Sequence, residues 1–251
     1  MRSRLARLGM GALLSLLFIH PARADALGDL RATLKGLRAD TPVKGVLDVK
    51  KESVEGGDDP TKPAVGHVVL QVSADGGLTL HADPALLQQI ASEEAQNAAD
   101  PDKKEPTADL LRDTGPSRVQ HFVSQADYLL LQLDGAGSPS TAPGTLDGKP
   151  VTKLSLKLPG RFPKKESGNA KDFSEDLVLS LDAQGIPLHY TDTVHVKFCK
   201  FFICVTVDQK RDATLKTVDK RLVVVNMVED FKQSGAGLGL STTTTSNFTL
   251  Q

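Results

Sequence analysis

Apolar and polar residues alternate along most of this chain, with two different periods. "DALGDLRATLKGLRAD" sets Leu27, Leu30, Leu34 and Leu37 at helical spacing, which gives one apolar stripe. The period then shortens to two. "PVKGVLDVKKESV" sends Val43, Leu47 and Val49 to one face and Lys44, Asp48 and Lys50 to the other. "VGHVVLQVSADGGLTLHA" reads as two strands joined at Asp75-Gly76-Gly77, a strong hairpin signal. Asp83 as N-cap and Pro84 at the first helical position open a helix over "DPALLQQIASEEAQ".

A polar, proline-containing connection, "NAADPDKKEPT", follows. Val119, Phe122, Val123, Ala126, Leu130 and Leu133 then form the best helical stripe in the chain, opened after Pro116 and closed at Gly135. "AGSPSTAPG" reads as a loop by composition, and "TLDGKPVTKLSLKL" as a hairpin around Asp147-Gly148. From Asp176 onward the chain is nearly all strand, turning at Ala183-Gln184-Gly185, near Asp219-Lys220 and at "SGAG". Strands of about a dozen residues are much longer than the usual five or six. Strands that long must twist and coil, so the pattern predicts a wrapped, open antiparallel sheet with helices from the middle of the chain over one face. The fold class expected is α+β, a long-stranded, strongly curved antiparallel half-barrel covered by a few helices.

One stretch breaks the alternation. "VHVKFCKFFICVTVDQ" places Phe201, Phe202 and Ile203 between Cys199 and Cys204. A continuous strand would throw the two cysteines onto opposite faces, because their separation is odd. A hairpin that sets Cys199 against Cys204 also sets Phe198 against Val205, Lys197 against Thr206, Val196 against Val207, His195 against Asp208 and Asp192 against Arg211. Apolar then meets apolar, and two pairs are charge-complementary, as cross-strand energetics favour. The register therefore favours a disulfide-stapled hairpin over the continuous strand. Its tip either folds back over an open barrel end or meets a lipid or partner.

The beginning of the chain adds a compartment. "MRSRLAR" is basic, "LGMGALLSLLFIH" is apolar but shorter than a bilayer span, and "PARA" offers Ala22 and Ala24. This is the pattern of a secretory signal peptide over residues 1–24, cleaved before Asp25, and it predicts a soluble periplasmic protein. The loss of four arginines with the leader takes the formal charge from −1 to about −5. A mildly acidic surface argues against nucleic acid and anionic membrane as partners. Two cysteines in an exported chain predict one local disulfide rather than a disulfide framework.

Motifs for chemistry are sparse. "GAGLGL" is followed by a Thr-rich strand, whereas a phosphate loop needs a helix N-terminus there, so it reads as a hairpin turn. His67, His81, His121, His189 and His195 have no metal-ligand spacing, and no Gly-x-Ser-x-Gly or Ser-x-x-Lys occurs. The expectation is a non-enzymatic protein without cofactor or metal. An enzyme with a site assembled from distant residues is the minor alternative.

The order of elements resembles a known family. A helix after a leader, then "PVKGVLDVKKESV", "VGHVVLQV" and "GLTLHADP", then helices and a long antiparallel meander, is similar to the LolA/LolB lipoprotein-carrier superfamily, which includes the RseB N-terminal domain. The resemblance implies a single half-barrel domain over residues 25–251, with a helical insert at about 84–135. It also implies an apolar cavity for acyl chains, and LolB-like members project an apolar loop similar to "KFFI". The function expected is a periplasmic carrier for an apolar ligand, a lipid or an acylated protein. Its cavity is expected between the meander and the helix bearing Phe122 and Leu130, and transient membrane contact is expected through the tip. The alternative is an envelope structural or regulatory protein that binds a partner protein through the 199–204 hairpin.

Overall fold

The computed structural model describes residues 25–56, 63–75, 77–160, 170–200, 202–235 and 237–251. Residues 1–24, expected as a leader, and Phe201, expected at the hairpin tip, lie outside the described residues. Among the described residues, five helices and ten strands alternate in blocks. Helix α1 (Ala26–Gly36) is followed by β1 (Val43–Glu55), β2 (Ala64–Ala74) and β3 (Leu78–Ala82). Helices α2 (Pro84–Ala99), α3 (Pro106–Asp113), α4 (Pro116–Val123) and α5 (Gln125–Gln132) come next. The chain then returns to strand as β4 (Ser140–Leu146), β5 (Lys149–Lys157), β6 (Ala170–Leu181), β7 (Pro187–Lys200), β8 (Ile203–Val218), β9 (Arg221–Gly235) and β10 (Leu238–Leu250).

All ten strands form one sheet, ordered β3-β2-β1-β10-β9-β8-β7-β6-β5-β4, and each neighbouring pair is antiparallel. The architecture is thus α+β, dominated by an antiparallel sheet that does not close on itself. Pairing of β10 with β1 joins the C-terminal meander to the N-terminal one, leaving β3 and β4 as edges. Asp147-Gly148 and Asp219-Lys220 take positive φ at both positions, the backbone that tight two-residue hairpins require.

Alternation decides which face is inside. On β1, Val43, Gly45, Leu47 and Val49 are buried, and on β2, Gly66, Val68, Leu70, Val72 and Ala74 are buried. The helices pack on this inner face. Leu30 and Leu34 of α1, Leu110 of α3, Val119, Phe122 and Val123 of α4, and Ala126 and Leu129 of α5 join one core with the strands. A Cβ on Gly66 would sit 2.2 Å from the carbonyl oxygen of Pro106, so the missing side chain is what lets α3 settle on β2.

Three local outcomes differ from the sequence pattern. The stripe over 119–133 is split into two helices, because Ser124 leaves helical backbone (φ −136°, ψ 49°). Helix α3 replaces part of the expected polar connection. Its first-turn amides are capped from another helix, with Glu93 Oε2 of α2 accepting from Thr107 N (2.8 Å) and Ala108 N (3.2 Å). The proline-rich stretch expected as loop forms β4, and Pro143 is tolerated there because the strand is an edge.

Candidate functional site

Charged side chains gather on the inner face along one transverse row, with Gln209, Gln233, Thr242 and Ser246 among the polar groups elsewhere on that face. Asp192 on β7 faces Arg211 on β8, and Arg211 faces Glu229 on β9. Glu229 faces Thr244 on β10, and Thr244 faces Lys51 on β1. Residues directly opposite across an antiparallel pair share a face, so acidic and basic side chains alternate along this row. The helices complete it. Arg118 of α4 places Nη2 3.5 Å from Glu229 Oε2, Arg211 Nη1 donates to the Tyr128 hydroxyl of α5 (3.2 Å), and Lys51 Nζ donates to Asp113 at the end of α3 (2.7 Å).

Arg211 divides its bonds unequally. Its Nε donates to Glu229 Oε2 at 3.0 Å, while Nη1 reaches Asp192 Oδ2 only at 3.4 Å. The other Asp192 oxygen is buried and has no partner. Burial therefore pushes the Asp192 carboxyl above its ordinary value, and Arg211 offsets this only in part. Burial acts in the same sense on Glu229, but Arg118 and Arg211 outweigh it and hold that carboxyl below its ordinary value. Burial works against the charge on Arg211 as well, yet its surroundings, Glu229 and Asp192 among them, keep the guanidinium protonated above its usual range.

Beside this row a cleft of about 470 Å³ opens between α4–α5 and strands β7–β9. Phe122, Val224 and Met227 are among its apolar lining residues, and Gln125, Tyr128 and Tyr190, the two arginines, Asp113 and Glu229 among its polar ones. The His121 and Tyr128 rings lie 4.5 Å apart and tilted. A second cavity of about 310 Å³, which includes Phe231 and Leu240, shares the Arg118–Glu229 pair as a wall.

Phe122 lines the cleft, but it is 2 % exposed and belongs to the core, as do Val119, Val123, Ala126 and Leu133. Leu130 is partly buried and packs against that core without lining the cleft. The helix stripe is thus spent on packing, and the cleft beside it has a mixed wall where an apolar one was expected. Apolar surface lies elsewhere. Val194, Phe198, Val205, Val207, Phe231 and Leu240 share the inner face on the other side of the charged row, toward the 199–204 hairpin, and each is only partly buried.

Cys199 and Cys204 are directly opposed and disulfide-bonded, with Cα atoms 4.1 Å apart. Every flanking pair from Phe198–Val205 to Asp192–Arg211 is in the expected register. The ladder continues one pair further than expected, to Lys200–Ile203. Phe202 is wholly exposed (102 %) and Ile203 is 61 % exposed. His189, His195 and His67 each pair with an aspartate on the outer face, and among the described residues no group of side chains could hold a metal ion.

Arg211, Glu229, Arg118, Gln125 and Tyr128 were not anticipated as a site. Two signals were present: the hairpin register sets Asp192 against Arg211, and Asp192 falls in phase with Tyr190, Val194 and Val196, which places a charge on an apolar face. Comparison with protein-family models, curated proteins and solved structures finds no match for this chain.

Proposed function

We propose that this chain is an exported, non-enzymatic binding protein that shelters an apolar ligand, the acyl part of a lipid or of an acylated protein. The ligand lies on the inner face between the charged row and the hairpin tip. One observation carries the reading: the partly exposed Val194, Phe198, Val205, Val207, Phe231 and Leu240 share one face in register with exposed Ile203, with Gln209 and Gln233 the polar residues between them. Leaving one large apolar side chain in water forgoes roughly 1.5–3 kcal/mol, so a cluster of them favours an apolar occupant. Strands of 12 to 16 residues coil strongly, and we take the sheet to curve into a LolA/LolB-like half-barrel around that occupant. The charged row then forms the floor of the ligand surface, because an acyl chain driven past it would strip partners from buried ions. Burial of the ligand is the whole of the chemistry, and no cofactor takes part.

An oxidising compartment accords with this reading. The chain carries a disulfide, and no helix among the described residues is long and apolar enough to cross a membrane. Native mass spectrometry of protein purified from the cell envelope tests the proposal. Co-purifying lipid or acylated peptide is the expected result, and an apo mass alone under conditions that retain lipid on a control carrier counts against it.

The complete exposure of Phe202 favours a second reading, in which the tip docks on an envelope partner protein. Phe202→Ser separates the two. Acyl binding survives it on the first reading, whereas on the second the protein loses its partner and never bound lipid.

A further inference from the structure

We propose that the cleft between α4–α5 and β7–β9 is a binding site for a small monocarboxylate, held by Gln125 Nε2, Arg118 and the hydroxyls of Tyr128 and Tyr190. This site is separate from the apolar surface toward the hairpin, and neither proposal depends on the other. Gln125 carries the argument. The residue is 1 % exposed and lines the cleft, yet its Nε2 has no partner in the protein. A buried amide N–H without an acceptor is costly, so the cleft is suited to a molecule that brings one.

The two carboxylates that line the cleft, Glu229 and Asp113, are already engaged, and the unpartnered Asp192 oxygen is not part of its lining. Glu229 receives Arg211 and Arg118, Asp113 receives Lys51, and the Tyr128 oxygen receives Arg211. Tyr128 is therefore free to direct its own proton into the cleft. The hydroxyl of Tyr190 lies 4.0 Å from the Met227 sulfur, a weak acceptor, and beside the Gln125 side chain. Burial raises both tyrosines above their ordinary value, so both remain donors at neutral pH.

Charge narrows the ligand class. Arg211 is matched by Glu229 and Asp192, while Arg118 is held only by a 3.5 Å contact and its side chain is 26 % exposed. Arg118 can turn from Glu229 to an incoming anion and supply one positive charge, which suits a monoanion better than a phosphate dianion. A carboxylate also presents two coplanar oxygens to a guanidinium fork. Phe122, Val224 and Met227, which also line the cleft, accept a short apolar body, and about 470 Å³ is within the range of small-ligand sites.

Calorimetric titration of the mature, oxidised protein with octanoate, octanol and inorganic phosphate tests the proposal. Octanoate is expected to bind at least about tenfold tighter than octanol, and phosphate not measurably. Arg118→Gln, at a partly exposed side chain with one loose contact, should bring octanoate down to the level of octanol. Tyr128→Phe, which keeps the ring, should weaken octanoate several-fold, and Phe202→Ser should leave the preference intact. Equal affinity for octanoate and octanol overturns the proposal. So does an octanoate advantage that survives Arg118→Gln in a folded variant, or no octanoate binding at millimolar concentration.

Discussion

Asp192 and Arg211 face each other across β7 and β8 on the helix-covered side of the sheet, yet only one Asp192 oxygen reaches the guanidinium, at 3.4 Å. The closer partner of Arg211 is Glu229, at 3.0 Å. Two carboxylates that flank one cation therefore stand in unlike environments, and opposite effects follow from neutralising each. Glu229→Gln removes the better-bonded anion from between Arg118 and Arg211, and breaking such a buried pair costs about 3 kcal/mol or more. Asp192→Asn keeps an oxygen for Arg211 and replaces a buried, unpartnered charged oxygen with a neutral group. Urea unfolding at pH 7 is expected to show Glu229→Gln strongly destabilised and Asp192→Asn equal to or more stable than the parent.

The same pair predicts a pH signature. The Asp192 carboxyl is raised above its ordinary value of 3.8, so its contribution to stability is fully present below that value. It is lost as pH rises through the folded-state value. The Glu229 carboxyl is lowered from 4.5, so its contribution is present above 4.5 and lost as pH falls through the folded-state value. Any stability advantage of Asp192→Asn at pH 7 should shrink as pH is lowered toward 3.8. The deficit of Glu229→Gln should shrink only below 4.5. Unfolding curves at pH 4, 5.5 and 7 for the three proteins check both trends.

The Cys199–Cys204 staple closes a very short loop, for which the chain-entropy model gives about 2 kcal/mol. For a chain of this size that corresponds to a fall of roughly 4–8 °C in Tm on replacing both cysteines with serine. The staple is on the outer face and away from the core, so the double variant should stay folded at 25 °C, as read by far-ultraviolet circular dichroism.

Register was the most legible feature of this chain. The odd separation of Cys199 and Cys204 and the matching of Val196 with Val207 and Asp192 with Arg211 are one-dimensional facts that translate directly into pairing. The helix stripe was legible too, but its use was not. Phe122 and Leu133 could line a cavity or fill a core, and only the packing of α4 and α5 on β9 decides for the core. Helix α3 was hidden because it is eight residues long and its cap, Glu93, comes from another helix. The charged row draws on five strands and three helices, with no two of its members close in sequence except Asp113 and Arg118. Its traces were the Asp192–Arg211 pair of the hairpin register and the charge at Asp192 in phase with Tyr190 and Val194.

The claim that the inner face beyond the charged row shelters an acyl chain is tested most directly by one fluorescence titration. A phospholipid carrying a fluorescent acyl chain is titrated with the parent and with Val207→Asp, a partly buried position on that face. The account predicts saturable binding to the parent, and at least about a tenfold loss of affinity in the variant, which stays folded by circular dichroism, since one buried charge in an apolar contact costs more than about 1.4 kcal/mol. Binding that is absent in the parent, or equal in the two proteins, contradicts it.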